Sequence, residues 1–247
     1  MAGVSRRDFL LGSALGLSGT VLPSLTADGV RASSAIDPRL RQDLRACMPK
    51  DALKRLQEGN ASFAKAWVAA RAAPPEQRMS MLASLWQDNC QIDPVALAQG
   101  QKPFAAILSC ADSRVDPSWI FDCTSGELFQ VRNAGNTAFN DAIASLEYAV
   151  SVLNTALVVV MGHSGCGAVK AAMASDPLTP LLEELVKPIR ASLVSGDDLT
   201  MAIQGNARYA AAQLTARSAL LNQQAMAGKL VIRSAHFDIA SGAVRWL

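Results

Sequence analysis

Residues 157–167 read LVVVMGHSGCG, an apolar run rich in valine that ends in a histidine, a cysteine and three glycines. Because β-branched side chains favour extended backbone, the run at 157–161 predicts a strand, and its apolar composition predicts burial on both faces. The glycines suit a tight turn from this strand into a helix. The segment therefore predicts a strand, a turn that carries His163 and Cys166, and a helix that begins next to Cys166.

Four further segments have the composition of strands, and a helical segment separates two of them. We predict strands at 104–109, 128–131, 230–233 and 243–246. Apolar residues recur on one helical stripe at 138–153, and residues 238–242 are predicted to form a turn. Strands separated by helices predict an α/β fold with a mostly parallel central sheet flanked by helices.

The chain between residues 39 and 99 reads as mostly helical and lies ahead of the first predicted strand. Leu53, Leu56 and Phe63 recur at helical spacing, and the pair Gly59-Asn60 is expected to interrupt the helix. Prolines near the end of this region favour loops on both sides of a short helix at about 80–86. The region therefore predicts a helical N-terminal arm.

Length and composition predict one domain after the first 35 residues. Half of the 247 residues are hydrophobic, which is enough for one substantial core. We predict a single domain over 36–247, with the helical arm and its loops at 36–100 and the α/β core at 101–247.

The first 35 residues read as an export signal that is removed from the mature protein. Ser5-Arg6-Arg7-Asp8-Phe9-Leu10 places two arginines directly ahead of an apolar run at 9–22, and this pattern resembles the twin-arginine signal. The run is shorter than the ~20 residues that a membrane-spanning helix needs, so we expect no permanent anchor. A chance arginine pair before a buried helix is the alternative. The signal predicts a periplasmic protein.

The charge balance argues against nucleic acid as a partner. Lys and Arg together number 23 against 21 Asp and Glu, and aromatic residues make up 5% of the chain. A nucleic-acid binder needs a basic surface, and a single-strand binder also needs aromatic side chains on which bases stack. We therefore expect a small-molecule substrate.

Cysteine and histidine residues follow two of the predicted strands. Cys110 follows the strand at 104–109, and His163 and Cys166 follow the strand at 157–161. Because ligand sites in open parallel sheets collect beyond the carboxyl ends of strands, we expect the three side chains to lie close together. Zinc accepts two cysteines and one histidine in a tetrahedral site whose fourth position stays open for water or substrate. The helix N-terminus at Cys166 is expected to favour its thiolate.

One histidine and three cysteines remain outside this set. His236 lies between Ala235 and Phe237 in a late strand and is predicted to be a packed residue. In an oxidising compartment a disulfide between Cys47 and Cys90 is one alternative. Buried free thiols, Cys123 among them, are the other.

The motifs around the predicted site resemble those of the β-class carbonic anhydrases. They are C-A-D-S-R at 110–114 and H-S-G-C-G at 163–167, separated by G-E-L-F-Q-V-R-N-A-G-N at 126–136. Their spacing agrees with the family throughout, and the resemblance runs from about Leu53 to the C-terminus. It implies the family's fold, a homodimer as the minimal unit, and reversible hydration of CO2 to bicarbonate and a proton by a zinc-bound hydroxide.

The resemblance also implies roles for five side chains, with one zinc ion per chain on Cys110, His163 and Cys166. Two thiolates weaken zinc as an acid, so a nearby proton acceptor is expected to compensate, and Asp112 is the candidate. Arg114 can clamp this carboxylate through a two-pronged guanidinium contact. If Arg114 releases it, the carboxylate is free to fill the open position on zinc. Both arrangements stay open, as does an ordinary loop ion pair.

Two other functions are compatible with the same metal site. The first is hydrolysis of carbonyl sulfide or carbon disulfide, which would require a different access tunnel. The stretch Asp122-Cys123-Thr124 lacks the glutamine that the resemblance leads us to expect there, and this keeps the first alternative open. The second is a non-catalytic zinc or bicarbonate-binding protein in which Asp112 stays on the metal.

Overall fold

A five-stranded sheet forms the centre of the computed structural model, which describes residues 48–83, 85 and 94–247. Its strands are β1 (Ala105–Cys110), β2 (Leu128–Asn133), β3 (Leu157–His163), β4 (Val231–Phe237) and β5 (Val244–Trp246). The spatial order is β2-β1-β3-β4-β5, with β5 antiparallel to β4 and every other pair parallel. The predicted mostly parallel sheet is confirmed.

Helices precede the sheet and connect its strands. They are α1 (Ala52–Ala72), α2 (Pro75–Ala83), α3 (Pro94–Gln99), α4 (Pro117–Ile120), α5 (Asn140–Ser151), α6 (Gly167–Met173), α7 (Pro180–Arg190), α8 (Leu199–Arg217) and α9 (Ala219–Met226). Among the described helices, none combines the length and the apolar character that crossing a membrane requires.

Apolar side chains of β1 and β3 pack on both faces of the sheet, because successive residues of a strand point to opposite faces. Ile107 and Val159 belong to the buried cluster that also contains Leu56 and Phe63 of α1. Leu108 and its neighbours belong to a second cluster, which contains residues of α5, α8 and α9. Both strands are buried along their whole length, as their apolar composition predicts.

Helix α1 continues through Gly59-Asn60, so the predicted interruption there is wrong. A Cβ atom on Gly59 would lie 1.9 Å from the carbonyl oxygen of Phe121, so only glycine permits this close approach. The side-chain amide of Asn60 donates to the carbonyl oxygens of Ile120 at 3.1 Å and Gly242 at 2.9 Å. Both residues therefore dock the arm onto the rest of the domain.

Several element boundaries differ from those predicted. Strands β1 and β3 extend one and two residues further than predicted, so Cys110 and His163 are the last residues of their strands. The short helix predicted at about 80–86 is observed as Pro75–Ala83, because Pro75 suits the first position of a helix. Helix α3, which begins at Pro94 in the same way, was not predicted.

Some predictions fall outside the described residues. The export signal at 1–35 is one of them, and Cys47 and Cys90 lie outside as well. Export, the disulfide alternative and the domain boundary at residue 36 therefore stay predictions.

Candidate active site

Three buried side chains meet at the carboxyl ends of β1 and β3. Cys110 ends β1, His163 ends β3, and Cys166 directly precedes α6. Their ligand atoms all lie within 4.8 Å of one another, and the two sulfur atoms are 3.9 Å apart. The structure thus brings together the three residues that the sequence singled out, because β1 and β3 are neighbours in the sheet.

The imidazole of His163 has a nitrogen atom available for a metal ion. Its Nδ1 lies 3.1 Å from the carbonyl oxygen of Ser164, so Nδ1 carries the proton and donates it. Its Nε2 is then an acceptor, and it is buried with no hydrogen-bond partner. Because buried polar atoms are normally paired, an unpartnered lone pair beside two sulfur atoms fits a metal ligand.

The two sulfur atoms hold their protons unequally. The contact with the Cys166 sulfur is the main cause that holds the pKa of Cys110 well below its usual range, and the backbone N–H of Gly135, 3.4 Å from the Cys110 Sγ, contributes to the same effect. The same contact raises the pKa of Cys166, because a second thiolate would form beside the first. A bound cation relieves this repulsion and favours two thiolates.

The helix N-terminus is therefore only one of several influences on the pKa of Cys166. Backbone N–H groups of Ala168 and Val169 in α6 do lower the pKa of Cys166, as predicted. The neighbouring sulfur of Cys110 and burial outweigh them, so the thiol form of Cys166 is favoured when no cation is bound. The sequence could not reveal this, because the distance between the two sulfur atoms depends on the pairing of β1 with β3.

Asp112 and Arg114 form a two-pronged ion pair at the edge of this cluster. Arg114 donates from Nε to Oδ1 at 2.9 Å and from Nη2 to Oδ2 at 2.6 Å, and its backbone N–H donates to Oδ1 at 3.0 Å. These bonds hold the pKa of Asp112 well below its usual range and raise that of Arg114. The carboxylate Oδ2 lies 3.9 Å from Nε2 of His163. Asp112 is thus ionised, held by Arg114 and adjacent to the three-residue cluster.

Comparison with known proteins agrees with this geometry. A solved structure with the same fold is the β-carbonic anhydrase CafA of Aspergillus fumigatus, with a TM-score of 0.58 and 26% identity over 70% of this chain and 88% of that one. The family model for carbonic anhydrase matches residues 105–244. Carbonic anhydrase 2 of Mycobacterium tuberculosis is 36% identical over 203 residues, which cover 78% of this chain and 90% of the relative. The chain belongs to the β-class carbonic anhydrase family. The carbonic anhydrase of Mycolicibacterium smegmatis is 33% identical over 205 residues, 79% of this chain and 92% of the relative.

One contact in this carbonic anhydrase site was not predicted from the sequence. Gly135, in the loop after β2, has a φ of +79° and donates its backbone N–H to the sulfur of Cys110. Its carbonyl oxygen accepts a hydrogen bond of 2.8 Å from the buried side-chain amide of Asn206 in α8. The contact with Cys110 depends on the parallel pairing of β1 and β2, which brings the loop after β2 next to the end of β1.

His236 and Cys123, which lie outside the cluster and within the described residues, are buried in the fold. His236 lies in β4 and is 7% exposed, as expected for a packed residue, and its Nε2 has no partner among the described residues. Cys123 is a buried free thiol, and burial raises its pKa. A buried thiol with a raised pKa is a poor nucleophile, so Cys123 has the properties of a structural residue.

Proposed function

We propose that this chain catalyses the reversible hydration of CO2 to bicarbonate and a proton. The observation that carries the proposal is the buried cluster of Cys110, His163 and Cys166 with the Asp112–Arg114 pair beside it. The same chain belongs to a family whose mycobacterial relatives are named carbonic anhydrases. A site of this kind needs three protein ligands and one open position, and this donor set supplies the three ligands.

Zinc is the cofactor that fits this donor set best. Cys110, His163 and Cys166 would hold it through two thiolates and the unpartnered Nε2 of the imidazole. Bound there, zinc supplies the Lewis acidity that makes hydroxide available near neutral pH. The two thiolates cancel the formal charge of the ion, so we expect a weaker acid than a site with three imidazoles provides.

Asp112 compensates for this weakness as a hydrogen-bond acceptor. Its Oδ2 lies at the edge of the cluster, 3.9 Å from Nε2 of His163. Because Arg114 holds its pKa well below the usual range, Asp112 stays ionised and orients a proton donor without retaining the proton. Arg114 also keeps both carboxylate oxygens occupied, which favours the arrangement in which Asp112 stays away from the metal.

A stopped-flow CO2 hydration assay on protein of measured zinc content tests this proposal. Zinc-loaded protein is expected to hydrate CO2 faster as the pH rises from 7 to 9, because hydroxide becomes available over that range. Apo protein prepared with a chelator is the control and should be inactive until zinc is restored. Fully zinc-loaded protein without CO2 hydration at any pH would refute the proposal, and assays with carbonyl sulfide and carbon disulfide would then test the related hydrolase.

We also propose that the chain forms at least a homodimer, as the family resemblance implies. Among the described residues β2 forms one edge of the sheet, and Phe129 on that strand contacts Tyr148 of α5 with ring centroids 6.2 Å apart. Tyr148 is 45% exposed, and Val152, the residue directly after α5, is 57% exposed. An edge strand next to exposed apolar side chains suits association with a second copy.

Export to the periplasm through a twin-arginine signal is proposed on the sequence of residues 1–35. The route carries proteins that are already folded, so zinc would be bound before the chain leaves the cytoplasm. Thiolates held by zinc would then be protected when the chain enters an oxidising compartment.

A further inference from the structure

Arg132 is a second arginine beside the proposed site, and within the described part of the chain its side chain donates its hydrogen bonds to backbone carbonyl groups. From β2 its Nε donates to the carbonyl oxygen of Cys110 at 3.3 Å. Its Nη2 donates to the carbonyl oxygens of Asp112 at 2.9 Å and Val115 at 2.6 Å. One guanidinium group thus binds three carbonyl groups of the loop that carries Asp112 and Arg114.

We infer that Arg132 is a positioning residue, which fixes this loop so that the Asp112 carboxylate stays on Arg114 and next to the metal ligands. The inference rests on the proposed function, since it assigns Arg132 a part in setting the rate of that reaction. Arg132 lies in the motif at 126–136, directly after the strand predicted at 128–131, and no individual role was predicted for it.

The ends of the loop are fixed independently of Arg132. Ala111 donates its backbone N–H to the carbonyl oxygen of Asn133 in β2 at 3.0 Å. At the other end Val115 is fully buried, and its N–H donates to the carbonyl oxygen of Asp112 at 3.0 Å. Loss of Arg132 would therefore leave the loop attached at both ends while its middle gains freedom to change conformation.

The carbonyl group of Asp112 is the part of the loop that Arg132 constrains most directly. It accepts from the N–H of Val115 and from Nη2 of Arg132, so the peptide group between residues 112 and 113 is held from two directions. A rotation of that peptide would disturb the hydrogen bond from the Arg114 N–H to Asp112 Oδ1. The position of the carboxylate thus depends on backbone contacts as well as on the Arg114 side chain.

The contacts of Arg132 depend on the shape of its side chain. No carboxylate lies within ion-pair distance of Arg132 in the described part of the chain, so its planar group serves neutral carbonyls. Arginine presents several N–H donors in a fixed plane, whereas lysine has one flexible ammonium group. Lysine at this position lacks the planar fork that spans the three carbonyl groups, so it should fix the loop only in part.

Arg132→Met and Arg132→Lys test the inference, with Arg233→Met as the matched control. Arg233 lies in β4, and its guanidinium donates to the carbonyl oxygen of the neighbouring Ile232. We expect kcat of Arg132→Met to fall about 10- to 100-fold, the range for a displaced catalytic group, with KM and metal content close to those of the parent. The kcat of Arg132→Lys should lie between those of Arg132→Met and the parent, and the kcat of Arg233→Met should match that of the parent.

Cobalt-substituted protein provides a readout that does not depend on turnover. In Arg132→Met the visible absorption bands of Co²⁺ should change, because a carboxylate that leaves Arg114 alters the coordination of the metal. The inference is wrong if Arg132→Met keeps the kcat and the cobalt spectrum of the parent. It is also wrong if the variant loses metal and thermal stability while the rate per bound metal is unchanged, since Arg132 would then support the fold only. Failure of the proposed function is a separate result, in which the zinc-loaded parent does not hydrate CO2.

Discussion

Replacement of Arg114 by alanine isolates the role of the ion pair beside the proposed metal site. The substitution removes the two side-chain hydrogen bonds to Asp112, at 2.9 Å and 2.6 Å, and leaves the backbone bond at 3.0 Å. The pKa of Asp112 should then rise from its depressed value toward the ordinary value for this side chain. Asp112 would still be ionised at pH 7, so protonation would not account for any loss of activity.

The loss should come from competition between the released carboxylate and hydroxide. Asp112 Oδ2 already lies 3.9 Å from Nε2 of His163, so the released carboxylate would be close enough to the ligand cluster to compete for a metal held there. We expect CO2 hydration at pH 7 to fall by roughly 100-fold, in line with a misplaced group at a catalytic centre. Because exchange of the carboxylate for hydroxide releases one proton, the pH–rate profile of the variant should be displaced toward higher pH than that of the parent, and the deficit should shrink only above the pH at which the parent's activity levels off.

Stopped-flow CO2 hydration from pH 7 to pH 9, with zinc content measured on the same samples, tests this reasoning. Arg114→Ala should keep its zinc, because Arg114 does not belong to the donor set. Asp112→Ala should also keep its zinc and lose turnover, and the double variant should be no slower than Asp112→Ala, because no carboxylate remains to be released. An Arg114→Ala variant as fast as the parent across this range, or a double variant much slower than Asp112→Ala, would refute the proposed role of the pair.

Three further predictions address the metal, the export signal and the oligomer. Each variant that removes one ligand should lose its stoichiometric zinc, as measured by elemental analysis. The variants are Cys110→Ser, His163→Ala and Cys166→Ser. Retention of zinc by all three would overturn the site. With Arg6→Lys and Arg7→Lys combined, the precursor should remain in the cytoplasm on cell fractionation, and normal periplasmic delivery would indicate another route. Val152→Arg should weaken the proposed dimer in light scattering, whereas the control Met226→Arg, at a site 82% exposed on α9, should not. Equal masses for both variants and the parent would exclude the surface around Val152 as the dimer contact.

The sequence by itself determined the strands of the core and the residues of the proposed metal site. The valine-rich run of β3 and the apolar run of β1 are local signals, because β-branched and apolar side chains favour buried extended backbone wherever they lie in a sheet. The glycines after β3 define the turn in the same local way. Cys110, His163 and Cys166 could be singled out because they lie at or just beyond the ends of these apolar runs, and parallel strands collect ligand sites at their carboxyl ends.

Only the tertiary structure decided how these pieces act on one another. Strand β1 pairs with β3, which lies about fifty residues further along the chain, and this pairing sets the 3.9 Å between the two sulfur atoms and so separates their pKa values. Gly59-Asn60 stays helical because it packs against Phe121 and Gly242, contacts that helix propensity does not include. Arg132 in β2 reaches three carbonyl groups at the end of β1 and in the loop after it, because the two strands are neighbours in the sheet. Such interactions depend on distances through space, which a pattern of neighbouring residues does not specify.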